Sequence, residues 1–176
     1  MSNLILNEGY ENNADFFYGA QDEKIFTKNK KYIDLSMCAG SILLGHNHKI
    51  FRQSIIKFIS KKISNVAGPN IYAKIFSKSI KKVVPNSERI IFCNSGTEAV
   101  IKSLRIAKAL NGKPKIAFVT GGWHGSVDQL LYKTDKNLKP VKLSSGLPSE
   151  TFRKLILVPY NDLKKSKLIL EKNKKK

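Results

Sequence analysis

An α/β fold built on a mostly parallel sheet is what this chain of 176 residues predicts, and three observations carry the prediction. Short β-rich runs recur at residues 89–93, 115–119 and 154–158, with little polar alternation, as in strands covered on both faces. Helical periodicity fills the interval after the first run, where Val100, Leu104 and Ala107 stack on one face. Glycine-bearing turns follow the first two runs, at Asn94-Ser95-Gly96-Thr97-Glu98 and at Gly121-Gly122-Trp123-His124-Gly125. Strands alternating with helices make βαβ units, and such crossovers generate parallel pairing.

The elements follow in chain order. The first twenty or so residues are polar with scattered aromatics and read as an arm lying on something larger. Residues 24–27 and 31–35, separated by Lys28-Asn29-Lys30, read as a β-hairpin. Residues 38–48 are rich in Gly and His and read as a loop. From 49 to 63 the side chains of Phe51, Ile55, Ile56, Phe58, Ile59 and Ile63 recur at helical spacing. Gly68-Pro69-Asn70 breaks that helix, and residues 71–84 form another with Ile75, Phe76, Ile80 and Val83 on one face. Pro85 stops it, because proline has no N–H to donate and clashes with the preceding turn. A helix over 99–110 ends at Gly112, and a last helix begins at about Asn161. This order divides the chain into an arm, hairpin and loop over 1–48 and a larger α/β part over 49–176. No internal repeat is present, and the only low-complexity stretch is the lysine-rich run over 171–176.

Charge is the loudest compositional feature: 32 Lys and Arg against 13 Asp and Glu, a formal net charge of +19. That excess alone invites a nucleic-acid partner, since clustered cations release counterions from phosphates. Arginine, the better bidentate reader of bases and phosphates, occurs only at Arg52, Arg89, Arg105 and Arg153. The lysines are spread along the chain, so a solvated lysine-rich surface is favoured over a nucleic-acid interface. No apolar run reaches the roughly 18–20 residues that a membrane helix needs, which gives no membrane partner. The N-terminal stretch lacks a basic segment followed by an apolar block. Cys38 and Cys93 lie far apart in no CxxC or Cys/His cluster, so a reduced, cytoplasmic setting is expected.

The chemistry concentrates in the two glycine-bearing turns. Ser95 is a natural N-cap, and Glu98 three residues later completes a capping box. The helix start then offers unpaired N–H groups and the positive end of its dipole. Gly96 lets a ligand oxygen approach the backbone, and Thr97 adds a hydroxyl, so the turn can cradle a phosphate. An ordinary capped helix has the same local pattern. In the second turn Trp123, the one tryptophan, is a flat ring able to stack on a planar ligand, and His124 can bond a ligand oxygen or move a proton. A ring that plugs the surface and a locally satisfied imidazole fit that turn equally. Gly45-His46-Asn47-His48 reads as loop-forming rather than metal-binding, because no Cys, Asp or Glu cluster accompanies its two histidines.

Tyr32-Ile33-Asp34, Leu44-Gly45-His46-Asn47-His48, Asn94-Ser95-Gly96-Thr97-Glu98-Ala99, Trp123-His124-Gly125 and Val158-Pro159-Tyr160-Asn161-Asp162 together resemble the class III aminotransferases. Their order and spacing lie closest to the glutamate-1-semialdehyde 2,1-aminomutase members, over residues 20–165 or so. The resemblance implies fold type I, with this chain as the first, incomplete part of a PLP-transferase large domain behind its arm and hairpin. It implies pyridoxal 5'-phosphate as cofactor, with the phosphate held by Ser95, Gly96 and Thr97. Trp123 would stack on the pyridine ring, where the family more often has Tyr or Phe, and His124 and Gly125 would shape the same wall. Residues 126–152 would be a mobile segment over the active site. Small-molecule amino donors or acceptors and a homodimer follow from the same resemblance. Two departures stand out. Ala39 occupies a substrate-facing position where the aminomutase has tryptophan, leaving aminomutase and transaminase both open. The family's pyridine-pairing Asp and Schiff-base lysine lie beyond the matched segment, so a truncated chain without its catalytic lysine is expected, with no catalytic residue of its own. A basic nucleic-acid-binding protein and a non-catalytic partner docking on a full-length homologue are the alternatives.

Overall fold

The computed structural model describes residues 16–61, 68–137 and 139–174. The chain divides into two compact units, 1–70 and 71–176. In the first, β1 (Phe17–Gln21), β2 (Lys24–Thr27) and β3 (Lys31–Ile33) form an antiparallel sheet in that order. The predicted hairpin is the β2–β3 pair, with Lys24 opposite Ile33 and Phe26 opposite Lys31. Thr27 closes its turn from both sides: its N–H donates to the Lys30 carbonyl at 2.9 Å, and its hydroxyl accepts the Lys30 N–H at 3.1 Å. The end of the predicted arm is β1, paired with β2, and the arm's first fifteen residues lie outside the described residues.

After β3 the chain makes a single turn, α1 (Met37–Gly40), whose φ angles are all positive: 46° at Met37, 51° at Cys38, 55° at Ala39 and 81° at Gly40. Three of these residues carry a Cβ in the left-handed region, so polar contacts must hold them there. Asp34 supplies them, its Oδ1 accepting the N–H of Ser36 at 2.8 Å and of Met37 at 3.1 Å. The helix α2 (Lys49–Ile59) follows as predicted up to Ile59, and Ile63 lies outside the described residues.

In the second unit α3 (Ile71–Val83) stops two residues before Pro85. Then come α4 (Gly96–Asn111), β4 (Ile116–Val119), β5 (Tyr132–Thr134), β6 (Pro140–Lys142), β7 (Leu155–Val158) and α5 (Leu163–Lys172). Strands β4 and β7 pair in parallel, from Ile116 opposite Leu155 to Val119 opposite Val158. The strand predicted over 89–93 is not formed. A β-rich run needs a ladder partner, and among the described residues β4 pairs only with β7. Phe92 instead stacks its ring on Phe76, with centroids 5.5 Å apart.

The core of this unit packs around β4. Phe118, Val127, Leu130, Tyr132, Leu147 and Leu155 are buried together, and Val100 and Leu104 of α4 press on them. Ala107, predicted on the same helical face, is exposed. Within residues 126–152, the segment that the family resemblance places over the active site, four apolar side chains are buried while most of the described residues are exposed. The four are Val127, Leu130, Leu147 and the most buried side chain, Tyr132 at 2% exposure. The Tyr132 hydroxyl donates to the Pro148 carbonyl at 2.5 Å, satisfying the one polar atom of that ring. The four buried residues of this stretch pack with Phe118 of β4 and Leu155 of β7, which removes their apolar surface from water.

Candidate functional site

The site grows from the start of α4. Ser95 is extended, with φ −146° and ψ 160°, and its hydroxyl accepts the Glu98 N–H at 3.1 Å. The return bond of the predicted capping box shifts by one residue: Glu98 Oε2 accepts the N–H of Asn94, at 2.9 Å, rather than that of Ser95. Glu98 Oε1 takes the Lys102 ammonium at 2.5 Å, one helical turn along. The ammonium first, and the Asn94 N–H second, hold the Glu98 carboxyl below the usual carboxylate range. That charge is therefore satisfied inside the helix. The N–H groups of Glu98 and Ala99 are both bonded to Ser95, whereas those of Gly96 and Thr97 have no partner among the described residues. A Cβ built on Gly96 would meet nothing within 4 Å, so the approach to these donors is open. Two free amides, two hydroxyls and a helix dipole suit an oxyanion.

The second turn leaves the carboxyl end of β4. Thr120 anchors its base: the Thr120 N–H donates to the Val158 carbonyl at 2.9 Å, and its hydroxyl accepts the Thr134 N–H at 3.0 Å. Gly121, at φ 82°, starts the loop and Gly125, at φ 73°, ends it. Trp123 lies between them, 70% exposed. His124 sets its ring edge-on to Phe118, with centroids 5.4 Å apart at 86°, and its Nε2 is buried without a hydrogen-bond partner.

The two turns meet. Thr97 Oγ1 accepts the N–H of Ser126 at 3.1 Å, across 29 residues of chain. A Cβ on Gly125 would lie 2.3 Å from Thr97 Oγ1 and 2.9 Å from Thr97 Cα, so only glycine fits against the helix start. Ser95, Gly96 and Thr97 thus share one end of β4 with the loop that carries Trp123 and His124. Sequence reasoning missed Ser126, whose backbone N–H makes the join. Nothing in its local sequence marks it, because the bond depends on where β4 delivers the chain.

The histidine-rich loop belongs to the first unit and to its architecture. His46 Nε2 pairs with Asp34 Oδ2 at 2.8 Å, and its backbone exchanges hydrogen bonds with Asp22 at 2.7 and 2.8 Å. The imidazole first, then the Met37 N–H, hold the Asp34 carboxyl below its ordinary range. Gly45, at φ 87°, lies so near Asp22 that a Cβ would come within 2.9 Å of its carbonyl oxygen. Among the described residues no group of three or more His, Cys, Asp or Glu is placed to share a metal ion. No helix among them is long and apolar enough to cross a membrane.

This strand-end pair of turns has a counterpart among known proteins. Residues 19–175 match the family described as Aminotransferase class-III. The chain belongs to that family. A glutamate-1-semialdehyde 2,1-aminomutase of Archaeoglobus fulgidus is 31% identical over 163 residues, covering 89% of this chain and 38% of that protein. The chain therefore spans under two-fifths of the length of that class III relative. An omega-transaminase from Sphaerobacter thermophilus has a similar fold, with a TM-score of 0.78 at 22% identity over 90% of this chain and 38% of its own. A transaminase described as having PLP bound is similar at a TM-score of 0.78 and 21% identity, with the same coverage of both chains. The α/β fold read from the sequence is thus the fold of this class III chain.

Proposed function

We propose that this chain supplies the cofactor-phosphate site of a pyridoxal-phosphate-dependent enzyme of amino-group transfer, of the aminotransferase or glutamate-1-semialdehyde 2,1-aminomutase type. One observation carries the reading: the Thr97–Ser126 hydrogen bond, which puts a free, glycine-lined helix start beside a loop bearing an exposed indole. Family membership and the PLP named with one structural neighbour support it.

In this reading the N–H groups of Gly96 and Thr97 and the hydroxyls of Ser95 and Thr97 hold the phosphate. Trp123 covers one face of the pyridine ring and restricts water there, while His124 forms the wall behind. Bound at such a site, the cofactor supplies an electron sink for the carbon that bears the amino group. The remaining parts of the reading follow the family. Residues 49–176 form part of a PLP-binding large domain, the substrates are small-molecule amino donors and acceptors, and the assembly is a cytoplasmic homodimer. In this reading none of the residues over 19–175 serves as the Schiff-base lysine, and the part they play is to hold and orient the cofactor.

Pyridoxamine 5'-phosphate tests the site cleanly, because its amine forms no imine with the many surface lysines. It should quench the single tryptophan saturably in the intact chain, with binding weakened about tenfold in Ser95→Ala, which loses one charge-assisted donor. No quenching at millimolar concentration overturns the assignment. Borohydride reduction after pyridoxal phosphate addresses catalysis: scattered, partial lysine labelling supports the reading. One stoichiometric adduct at a unique lysine defeats it.

A further inference from the structure

Thr97 stands in both halves of the candidate site. Its backbone N–H is one of the two free donors at the start of α4, and its hydroxyl oxygen accepts the Ser126 N–H at 3.1 Å. Gly125 packs on the same residue, closer than any Cβ would allow. The exit of the Trp123 loop is therefore fixed to the helix start, whereas its entry is fixed to β7 and β5 through Thr120. Between these anchors the positive-φ glycines Gly121 and Gly125 bracket Gly122, Trp123 and His124.

The loop is not fully satisfied as it stands. The His124 Nε2 is buried and unbonded, against a Gly122 whose Cβ would lie 3.0 Å from it, and the Trp123 ring is largely exposed. A buried polar atom without a partner is unfavourable, so a loop placement that gives it one is favoured.

A hydroxyl has one proton and two lone pairs. Since the Ser126 N–H occupies a lone pair of Thr97, the Thr97 proton is left for an anion in the cup. Donation to that anion polarises the oxygen and strengthens its bond to Ser126. We propose that Thr97 is a positioning residue that couples occupation of the α4 cup to the placement of the Trp123 loop. The inference rests on the phosphate cup proposed above and adds to it a direction of control, from the phosphate to the ring wall. Occupation strengthens the existing Ser126 bond at the exit of the loop, and the placement of the indole responds to it.

Inorganic phosphate isolates this coupling, because it carries no ring to quench the indole directly. Binding is followed by 31P line width and loop position by tryptophan emission, with chloride at matched ionic strength as the control. The intact chain and Thr97→Ser should bind phosphate and change emission together. Thr97→Val should bind about tenfold more weakly and, once saturated, leave emission unmoved. Independent of any variant, the Ser126 amide proton should shift downfield when phosphate saturates the intact chain. A full emission change in saturated Thr97→Val, or a Ser126 amide that stays in place while phosphate is bound, overturns the coupling but leaves the cup standing. No phosphate binding to the intact chain at all removes the cup, and the coupling with it.

Discussion

Gly96 and Gly125 look alike in the sequence, each a glycine in a chemically promising turn, yet they answer to different physics. At Gly96 a Cβ meets open space at the first position of α4, whereas at Gly125 φ is 73° and a Cβ collides with Thr97. Gly96→Ala should therefore leave unfolding by denaturant within about 1 kcal/mol of the parent, alanine being the better helix former, while obstructing anions at the cup. Gly125→Ala should destabilise by about 1–3 kcal/mol, through both the backbone conformation and the clash. Equal stabilities for the two variants contradict this contrast. Trp123 was legible from its glycine neighbours as a loop residue outside the apolar runs, and it is 70% exposed. The buried, unbonded Nε2 of His124 was not legible, because it depends on the edge of Phe118 and the backbone of Gly122.

Among the elements, α4 was the most legible. Ser95, Glu98 and Gly112 announce its start and stop locally, and Gly112 closes it in the left-handed conformation at φ 62°. Its N-terminal cap has a pH signature whose sign follows from Glu98. The folded-state carboxyl titrates below its unfolded value, so its contribution is complete above the ordinary carboxylate range and is lost as pH falls through the lowered folded value. Amide exchange over Gly96 to Ala99 should accelerate in that acid window. Glu98→Gln, which keeps an acceptor for the Asn94 N–H but does not titrate, should show no such step. A step of equal size in both proteins places the titration elsewhere. Residues 89–93 were the element the sequence overstated. Ile90, Ile91 and Phe92 have the composition of a strand, but pairing is a property of neighbours, and none stands beside them among the described residues.

At the scale of the molecule, a chain of this length can bury a sizeable core, and among the described residues the buried core is small. The described core is a cluster around β4, and no helix except the single turn at Asp128–Leu130 contributes a buried residue. Leu35, Leu43, Val83, Leu110 and Leu163 are each more than 80% exposed. Such a surface should bind the dye ANS in native buffer and make the chain associate with rising concentration, read by light scattering. A dye-silent chain that stays monomeric at high concentration contradicts that expectation. Two parallel strands offer little area to cover, and Val127, Leu130, Tyr132 and Leu147 pack there beside Val100 and Leu104 of α4.

By itself the sequence determined whatever is encoded within a few residues. The hairpin turn, the helix caps, the proline and glycine stops, and the residue types able to hold a phosphate all act over one or two turns of chain, where propensity and local hydrogen bonding decide. Tertiary structure decided what depends on distant partners. It set which β-rich runs found a ladder, buried Val127, Leu130, Tyr132 and Leu147, and brought Ser126 to Thr97 across 29 residues. The reason is that local bonds close short rings of backbone at little entropic cost, while a contact between remote residues exists only when the whole path between them is fixed.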